Sequence, residues 1–313
     1  THSTNTASRA ALIDWTVTGD FELQAGATIS VAGRGYEGGI YPSVASGPGG
    51  GAPADGSTEG GGGAGHGGIG GYGRNQNGSL AGAYDSVSAP DDFGSGGGSP
   101  YDSGGGIKGG DGGGLIKLVV GGSLTVNGLL DANGALGNSA TQSGGGGAGG
   151  GIQLIADDLK GAGIIRADGA AGQANGSNMG GGGAGGRVAL TAREHYEFTG
   201  AVTAYPGLKG GAGALGGGAG TVYTKKPSNE HFDLLIKSAV TTESDTPLEP
   251  AEVDTVDFLT VDNAWVLVST DTAFTAIDNV LIKTGARLSH TTNTTTRDYY
   301  LDWTVLGNFE LQA

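Results

Sequence analysis

The two ends of the chain carry nearly the same sequence. Residues 1–25 read THSTNTASRAALIDWTVTGDFELQA and residues 289–313 read SHTTNTTTRDYYLDWTVLGNFELQA, so 15 of 25 aligned positions are identical without a gap. The offset, taken from Asp14 and Asp302, is 302 − 14 = 288 residues. Such a match indicates a tandem repeat, in which each unit packs against its neighbours. We therefore expect the 313 residues to cover one period and the opening of the next.

A shorter period lies inside the long one. Ile116, Ile152, Val188 and Val222 each follow a glycine-rich run, at spacings of 36, 36 and 34 residues. Apolar residues then alternate with other residues, which is typical of strands with one buried face. The predicted core columns are Ile116, Leu118, Ile152, Leu154, Val188 and Leu190 in the opening strands, and Leu130, Ile165 and Val202 in the closing strands.

Short strands that repeat in register predict an all-β chain of stacked coils, a parallel β-helix. The alternative is an antiparallel sandwich, which requires hairpins between neighbouring strands and fits the even spacing poorly. Under the β-helix hypothesis, residues 1–25 and 289–313 superpose by a translation, plus some twist, along the stacking axis. At ~4.8 Å per coil, seven coils predict an axial repeat of about 34 Å, within about 30–40 Å if the coils are irregular. These coils open near residues 12, 116, 152, 188, 222, 256 and 277.

Glycine dominates the segments between the predicted strands. The chain has 69 glycines, and the string GGGGAG recurs at 60–65, 144–149 and 180–185, with GGGAG at 216–220. The runs lie between a closing strand and the next opening strand, so we expect them to leave the coils at one corner. Glycine loses more backbone entropy on ordering than any other residue. Extended three-fold glycine helices, side by side, would offset this loss through backbone hydrogen bonds; disordered loops are the alternative.

The organisation predicted for 1–313 is one continuous repeat plus the start of the next. Within it, 33–114 is a long glycine-rich insert, 115–231 holds the glycine-punctuated coils, and 232–313 holds ordinary coils that lead into the next repeat. The predicted repeat-junction residues are Trp15 and Phe21, with their copies Trp303 and Phe309.

Charge and composition narrow the function classes. The net charge of −15 argues against nucleic acid as a partner, because phosphate binding requires a basic face. No stretch of 18 apolar residues is present, so we expect no membrane span in this segment. The chain has no cysteine and one methionine, which excludes a disulfide framework and suits a protein exposed to oxidants outside the cell.

Residues that could carry chemistry are few. Parallel β-helices often act on polysaccharides through clustered carboxylates, but no acidic column repeats here. Asp131 and Arg166 are expected to face solvent or the inserts and to form a cross-coil ion pair, which stabilises little where it is exposed. Asp91–Asp92, Asp111 and the acidic loop 242–254 offer oxygen ligands for Ca²⁺, without a defined ligand set. The five histidines have no metal-site spacing. N-glycosylation sequons, which chance also produces, occur at Asn77, Asn175 and Asn293.

The strings GGGGAGGGIQLIADDLKGAGIIRADG, GGGGAGGRVALTA and GGGAGTVYTKK resemble a glycine-rich module of very large secreted or cell-surface proteins of environmental bacteria. The resemblance extends from about residue 12 to 313 and implies a right-handed parallel β-helix (solenoid) with glycine inserts. It brings no catalytic residue and no cofactor.

The hypothesis that follows is a non-enzymatic structural subunit of an extracellular filament, sheath or surface fibre, whose partners are copies of itself stacked end to end. The alternative is an adhesin or carbohydrate-binding surface stalk that contacts polysaccharide or another cell. A polysaccharide-active enzyme is a lesser alternative, and the charged interruptions argue against an ice-binding face.

Overall fold

The computed structural model describes residues 1–313 except 4, 7, 77–80, 102–105, 139–141, 176–177, 249–254, 269–273, 293–300 and 313. The described part has 21 β-strands and no α-helix. The first eleven strands are β1 (Ile13–Val17), β2 (Phe21–Leu23), β3 (Thr28–Ser30), β4 (Leu115–Val120), β5 (Ser123–Val126), β6 (Leu129–Asp131), β7 (Gly151–Gly161), β8 (Ile164–Arg166), β9 (Ala174–Asn175), β10 (Asn178–Met179) and β11 (Arg187–Phe198). The others are β12 (Ala201–Thr203), β13 (Thr221–Lys225), β14 (Asp233–Lys237), β15 (Asp245–Leu248), β16 (Thr255–Asp262), β17 (Trp265–Val268), β18 (Phe274–Ile282), β19 (Arg287–His290), β20 (Trp303–Val305) and β21 (Asn308–Leu311).

The opening strands form one sheet of 12 strands, whose main path is β1-β4-β7-β11-β13-β14-β16-β18-β20. The glycine-punctuated coils pair in parallel, with Ile116, Ile152, Val188 and Val222 in one column. This is the column predicted from the 36-residue spacing. The chain is therefore all-β with mostly parallel strands, an arrangement compatible with a β-solenoid.

The closing strands form two smaller sheets, ordered β12-β8-β6-β3 and β15-β17-β19. Both are parallel and in register: Ile29, Leu130, Ile165 and Val202 form one column of the first. In each of these sheets, neighbouring strands come from successive coils. Each of these coils thus contributes both to the main sheet and to a smaller sheet, and the two sheets enclose a common core.

The chain reverses its direction between β13 and β14. These strands pair antiparallel, with Val222 opposite Leu235 and Tyr223 opposite Leu234. The connection is a short turn that contains Pro227 and closes with a hydrogen bond of 3.1 Å from the Asn229 N–H to the Lys226 carbonyl, a normal length for such a bond. Pro and Asn are typical turn residues, so the chain doubles back instead of completing another coil.

This reversal contradicts the expected translation between the end segments. β14, β16, β18 and β20 run parallel to one another, and therefore opposite to β1, β4, β7, β11 and β13. β20 is the sequence copy of β1, yet it points the other way along the same sheet. The antiparallel pair is physically allowed because alternating apolar residues suit either strand direction.

The reversal also divides the interior into two cores, one on each face of the main sheet. Residues directly opposite each other in an antiparallel pair lie on the same face. Val222 belongs to the first core and its partner Leu235 packs against it, whereas Leu234 belongs to the second core and its partner Tyr223 packs there. Strands between β1 and β13 line the first core, and strands β14 to β20 line the second.

The number of coils differs from the sequence expectation. One period contains eight strands of the main path, β1, β4, β7, β11, β13, β14, β16 and β18, instead of about seven. The additional strand is β14, which follows β13 after one short turn, so the sequence spacing does not separate the two. At ~4.8 Å per strand the sheet advances about 38 Å per 288 residues.

The glycine runs are ordered by backbone hydrogen bonds in a three-residue pattern. In the run 144–150, Gly145 donates to Gly98, Gly146 to Gly181 and Gly147 to Ala135. The next three residues repeat the pattern, because Ala148, Gly149 and Gly150 donate to Ser95, Ala184 and Ala132. Each run is thus surrounded by three neighbouring segments, and the alternative of disordered loops does not hold for the described runs. We call these hydrogen-bonded runs the glycine lattice.

The long insert 33–114 is part of the glycine lattice. The N–H groups of Gly67 and Gly71 donate to carbonyl oxygens in the run 180–186, each at 2.9 Å. Between them, Ile69 donates to the carbonyl of Asp245 in β15, also at 2.9 Å. The insert therefore connects the glycine-punctuated coils to the strands that follow the reversal.

Candidate functional site

The predicted core columns lie in the first core. The side chains of Ile116, Leu118, Ile152, Leu154, Val188, Leu190, Leu130 and Ile165 are fully buried, and Val202 is half-buried against the same core. Their Cα atoms pair strand to strand in an unshifted register, so like residues stack on like. This set offers no polar group and forms the interior that holds the coils together.

The residues predicted at the repeat junction lie in the first and last coils of the chain. We call residues 13–23 and their copy 301–311 the junction coil. In the first copy, β1 and β2 pair with β4 and β5. In the second copy, β20 and β21 pair with β18. Among the described strands, each copy is therefore paired along one edge, and the two copies use opposite edges.

Burial of equivalent apolar residues differs between the two copies. Leu23 is 6% exposed and its copy Leu311 is 70% exposed. Ile13 is 5% exposed and its copy Leu301 is 41% exposed. The first copy is covered by the coil that contains β4 and β5, and the second has no described coil beyond it. The same sequence thus presents an apolar face at the C-terminal end of the stack.

The aromatic junction residues follow the same pattern. Trp15 lies 46% exposed at the first edge, while Trp303 is half-buried against the second core. Phe21 packs against the first core, and its copy Phe309 is exposed. Trp15 contacts Phe21 at the edge of the first core, whereas Trp303 packs against the second core, although the two tryptophans occupy the same position of the repeat.

A polar column covers the outer face of the closing strands. Ser30, Asp131, Arg166 and Thr203 are aligned in register, as expected from the sequence. Arg166 donates to both carboxylate oxygens of Asp131, at 3.1 and 3.0 Å, and this hydrogen bonding raises the pKa of the guanidinium. Asp131, which was expected to face solvent or the glycine inserts, is buried, and Arg166 covers its carboxylate. The pair links two adjacent coils.

The next carboxylate along this face is held by neutral donors. Asp168 accepts hydrogen bonds from the Tyr205 N–H at 2.7 Å and from the Thr203 hydroxyl at 3.1 Å. Burial raises its pKa, and these two hydrogen bonds oppose the rise. The Asp168 N–H in turn donates to Asn133 of the preceding coil, at 2.7 Å. Such side-chain contacts between coils fix the register of the closing strands.

One group of described side chains has the composition of a metal site. Asp158, Glu194 and His195 bring one potential ligand atom each to within 4.8 Å of the others, beside a bulge in β11. The Asp158 carboxylate is already engaged by Ser123, His195 and Lys160, and these hydrogen bonds lower its pKa. The ammonium group of Lys160 at 3.0 Å opposes a cation there. This geometry suits a surface ion network better than a metal centre.

The carboxylates considered for Ca²⁺ are engaged separately. Asp111 accepts from the Gly38 N–H at 2.8 Å and pairs with Lys108 at 2.7 Å. Asp92 accepts a hydrogen bond from the Tyr36 hydroxyl at 3.0 Å. Burial of that tyrosine, together with the Asp92 charge and this hydrogen bond, raises its pKa to about 12. Asp91 lies beside Arg9. Part of the acidic loop, residues 249–254, lies outside the described residues, as do Asn77, Asn293 and the side chain of Asn175.

A buried contact between a histidine and a carboxylate of the insert was not anticipated from the sequence. His66 is fully buried, with Nδ1 2.7 Å from the Gly149 carbonyl oxygen and Nε2 3.2 Å from a carboxylate oxygen of Asp85. Both ring nitrogens therefore face hydrogen-bond acceptors. Burial opposes ionisation of Asp85, but the contact with His66 and backbone donors from Ser86 and Asp91 outweigh it and lower its pKa to about 2. The pair fastens the insert to the run 144–150.

Comparison with known proteins gives no relative. No family model, no curated protein and no solved structure matches the chain. The described residues contain no helix that could span a membrane. Inference about function therefore rests on the glycine lattice, the stacked columns and the two copies of the junction coil.

Proposed function

We propose that this chain is one period of a tandem-repeat structural protein, which builds an extracellular filament, sheath or surface fibre by stacking coil on coil. The proposed architecture is a β-solenoid made of right-handed parallel units that reverse direction once per repeat, at β13 and β14, with polyglycine-II-like inserts at one corner of the coils. The single observation that carries the proposal is the junction coil, whose two copies are paired along opposite edges. Joining the two roles gives a coil that is covered on both sides, as in an uninterrupted stack.

The two ends of the main sheet also support the proposed stacking of repeats. A sheet edge presents unpaired N–H and C=O groups, which form a template for another strand. Among the described strands, β1 stands at one end of the order of the main sheet and β20 at the other. A following repeat would use the second edge, so addition is head-to-tail and has no built-in stop. The proposed partner is a further copy of the same chain, and the proposed location is the cell surface.

The three-fold hydrogen bonding of the glycine lattice supports a mechanical role. Each run is held by neighbours on three sides, without side chains that could bind or react. A Cβ on Gly146 would lie 2.0 Å from the carbonyl oxygen of Ala170, and one on Gly147 would lie 2.1 Å from that of Asp111. Because these contacts exclude every other residue, the glycine runs are explained by close packing and need no ligand.

The test is to join one, two and three repeats in frame and to measure particle length by electron microscopy. Each added repeat is expected to lengthen one rigid rod by about 38 Å. A matched control replaces Leu311 and Phe309 with aspartate, which places charge on the face that the next repeat would cover. Repeats that appear as separate beads with variable spacing would contradict the proposal, and glycan binding by a monomeric single repeat would favour the adhesin alternative.

A further inference from the structure

The strand reversal determines how successive repeats are oriented. β1, β4, β7, β11 and β13 run in one direction, and β14, β16, β18 and β20 run in the other. β20 opens the second copy of the sequence, so a repeat that continues from β20 begins in the reversed direction. Its own β4 pairs parallel to that opening strand, as β4 does to β1 here. The whole following repeat is therefore inverted along the strand direction.

The face of the sheet on which the core lies gives independent evidence for this inversion. The column of Ile13, Trp15 and Val17 aligns with Ile116, Leu118 and Val120, and it faces the first core. The copies Trp303 and Val305 face the second core, on the opposite side of the sheet. A rotation of 180° about the stacking axis reverses strand direction and exchanges the two faces together. A translation along that axis changes neither of them.

The apolar end face identifies what lies on the second copy. Leu301, Leu306, Phe309 and Leu311 are exposed there. In the first copy, the residues that match Leu301 and Leu311 are buried by β4 and β5, which pair with the junction coil in an unshifted register. The segment that covers the first copy is therefore the one that fits this face. We expect the second copy to be covered by residues 115–126 of a following copy of the chain.

We infer that successive repeats are related by a two-fold screw axis and that each parallel unit of the sheet straddles two sequence repeats. This inference rests on the proposed tandem arrangement and specifies its geometry. A unit begins with β14, β16 and β18 of one repeat, passes through the shared junction coil, and ends with β4, β7, β11 and β13 of the next. The second core of one repeat is continuous with the first core of its successor.

The screw relation has a measurable consequence for shape. Each repeat advances about 38 Å and turns by half a revolution, so identical orientation returns only after about 77 Å. The glycine lattice, whose runs end directly before β4, β7, β11 and β13, then lies beyond opposite ends of the strands in successive repeats. A fibre built by translation would carry all of its lattices at the same end of the strands.

The direct test is a structure of a two-repeat chain, in which a second copy of residues 26–313 follows Ala313. The expected relation between the repeats is a rotation near 180° about the stacking axis. A continuous stack with a rotation near zero would overturn the inference and leave the proposed function standing. Two separate bodies that share no coil would overturn both.

A second measurement uses equivalent leucines as probes of coverage. In the single-repeat chain, Leu311→Ala is expected to leave the melting temperature unchanged, whereas Leu23→Ala lowers it, because only Leu23 is buried. In the two-repeat chain, Leu311 of the first repeat lies at the centre of a unit, and its replacement should lower the melting temperature as much as Leu23→Ala does. If Leu311→Ala also leaves the melting temperature of the two-repeat chain unchanged, the inference is overturned.

Discussion

Two neighbouring glycines of the lattice should respond to the same substitution with opposite signs. A Cβ on Gly217 would lie 2.3 Å from the carbonyl oxygen of Gly183, whereas a Cβ on Gly216 would meet no heavy atom closer than 3.4 Å. Both glycines lie in the run 216–220, and neither needs a left-handed backbone. Gly216→Ala is therefore a matched control for Gly217→Ala.

The magnitude follows from the movement that the new methyl group requires. Restoring a 3.4 Å contact at Gly217 needs a displacement of 3.4 − 2.3 = 1.1 Å between two backbone segments. That shift disturbs the hydrogen bond from Gly217 to Gly207, 3.0 Å long, and the bond from Gly183 to Ala170, 2.9 Å long. A buried backbone group that loses its partner costs about 1–3 kcal/mol. Each alanine also restricts the unfolded chain and so stabilises by about 0.4–1 kcal/mol.

We expect Gly217→Ala to lower the free energy of unfolding by about 2–4 kcal/mol, and Gly216→Ala to raise it by up to about 1 kcal/mol. With an unfolding entropy of about 2.1 cal/mol/K per residue, these changes correspond to a melting temperature about 3–6 °C lower and up to about 1.5 °C higher. Differential scanning calorimetry of the two variants and the parent chain measures both. Equal effects at the two positions would refute the close packing of the lattice.

Three further outcomes are expected. Because the pKa of Asp85 is lowered to about 2, its contribution of about 2 kcal/mol is present above pH ~4 and is lost as the pH falls towards 2; urea titrations should show that Asp85→Asn removes this pH dependence. Leu154→Asp places a charge in a fully buried column, and hydrogen exchange should detect loss of protection in the adjacent strands, unlike Leu154→Met. Arg166→Gln removes a partly exposed partner of Asp131 and should cost about 1 kcal/mol, less at high salt, in the same titrations.

The sequence predicted the stacked columns well because spacing alone determines them. Period-two alternation identifies the buried face of a strand, and a 36-residue interval places Ile116, Ile152 and Val188 on one another whatever the details of the connection. The three-fold order of the glycine runs was also predictable. Glycine can be ordered only by backbone hydrogen bonds, and runs that recur at matching positions can supply those bonds to each other.

The reversal at β13 and β14 was not predictable by the same means. Alternation is unchanged when a strand runs the other way, so the pattern in Asp233–Lys237 carries no direction. The turn at Pro227 and Asn229 resembles any coil corner, and only its pairing shows that the chain doubles back. The pair of His66 and Asp85 was missed for another reason. It joins residues of an aperiodic insert, for which neither spacing nor alternation gives a signal.

The distribution of glycine along the chain follows from the position of this reversal. Before β14 each coil adds one strand to the main sheet and one run to the glycine lattice, and both share the spacing of about 4.8 Å between neighbouring strands. After β14 the second core is closed by β15, β17 and β19, whose coils of about twenty residues leave no chain for a further run. The lattice ends where the strand direction changes, because its runs join the chain directly before β4, β7, β11 and β13, and the equivalent point of a reversed coil lies at the opposite end of the strands. Glycine runs should therefore return only after the next junction coil, at that opposite end.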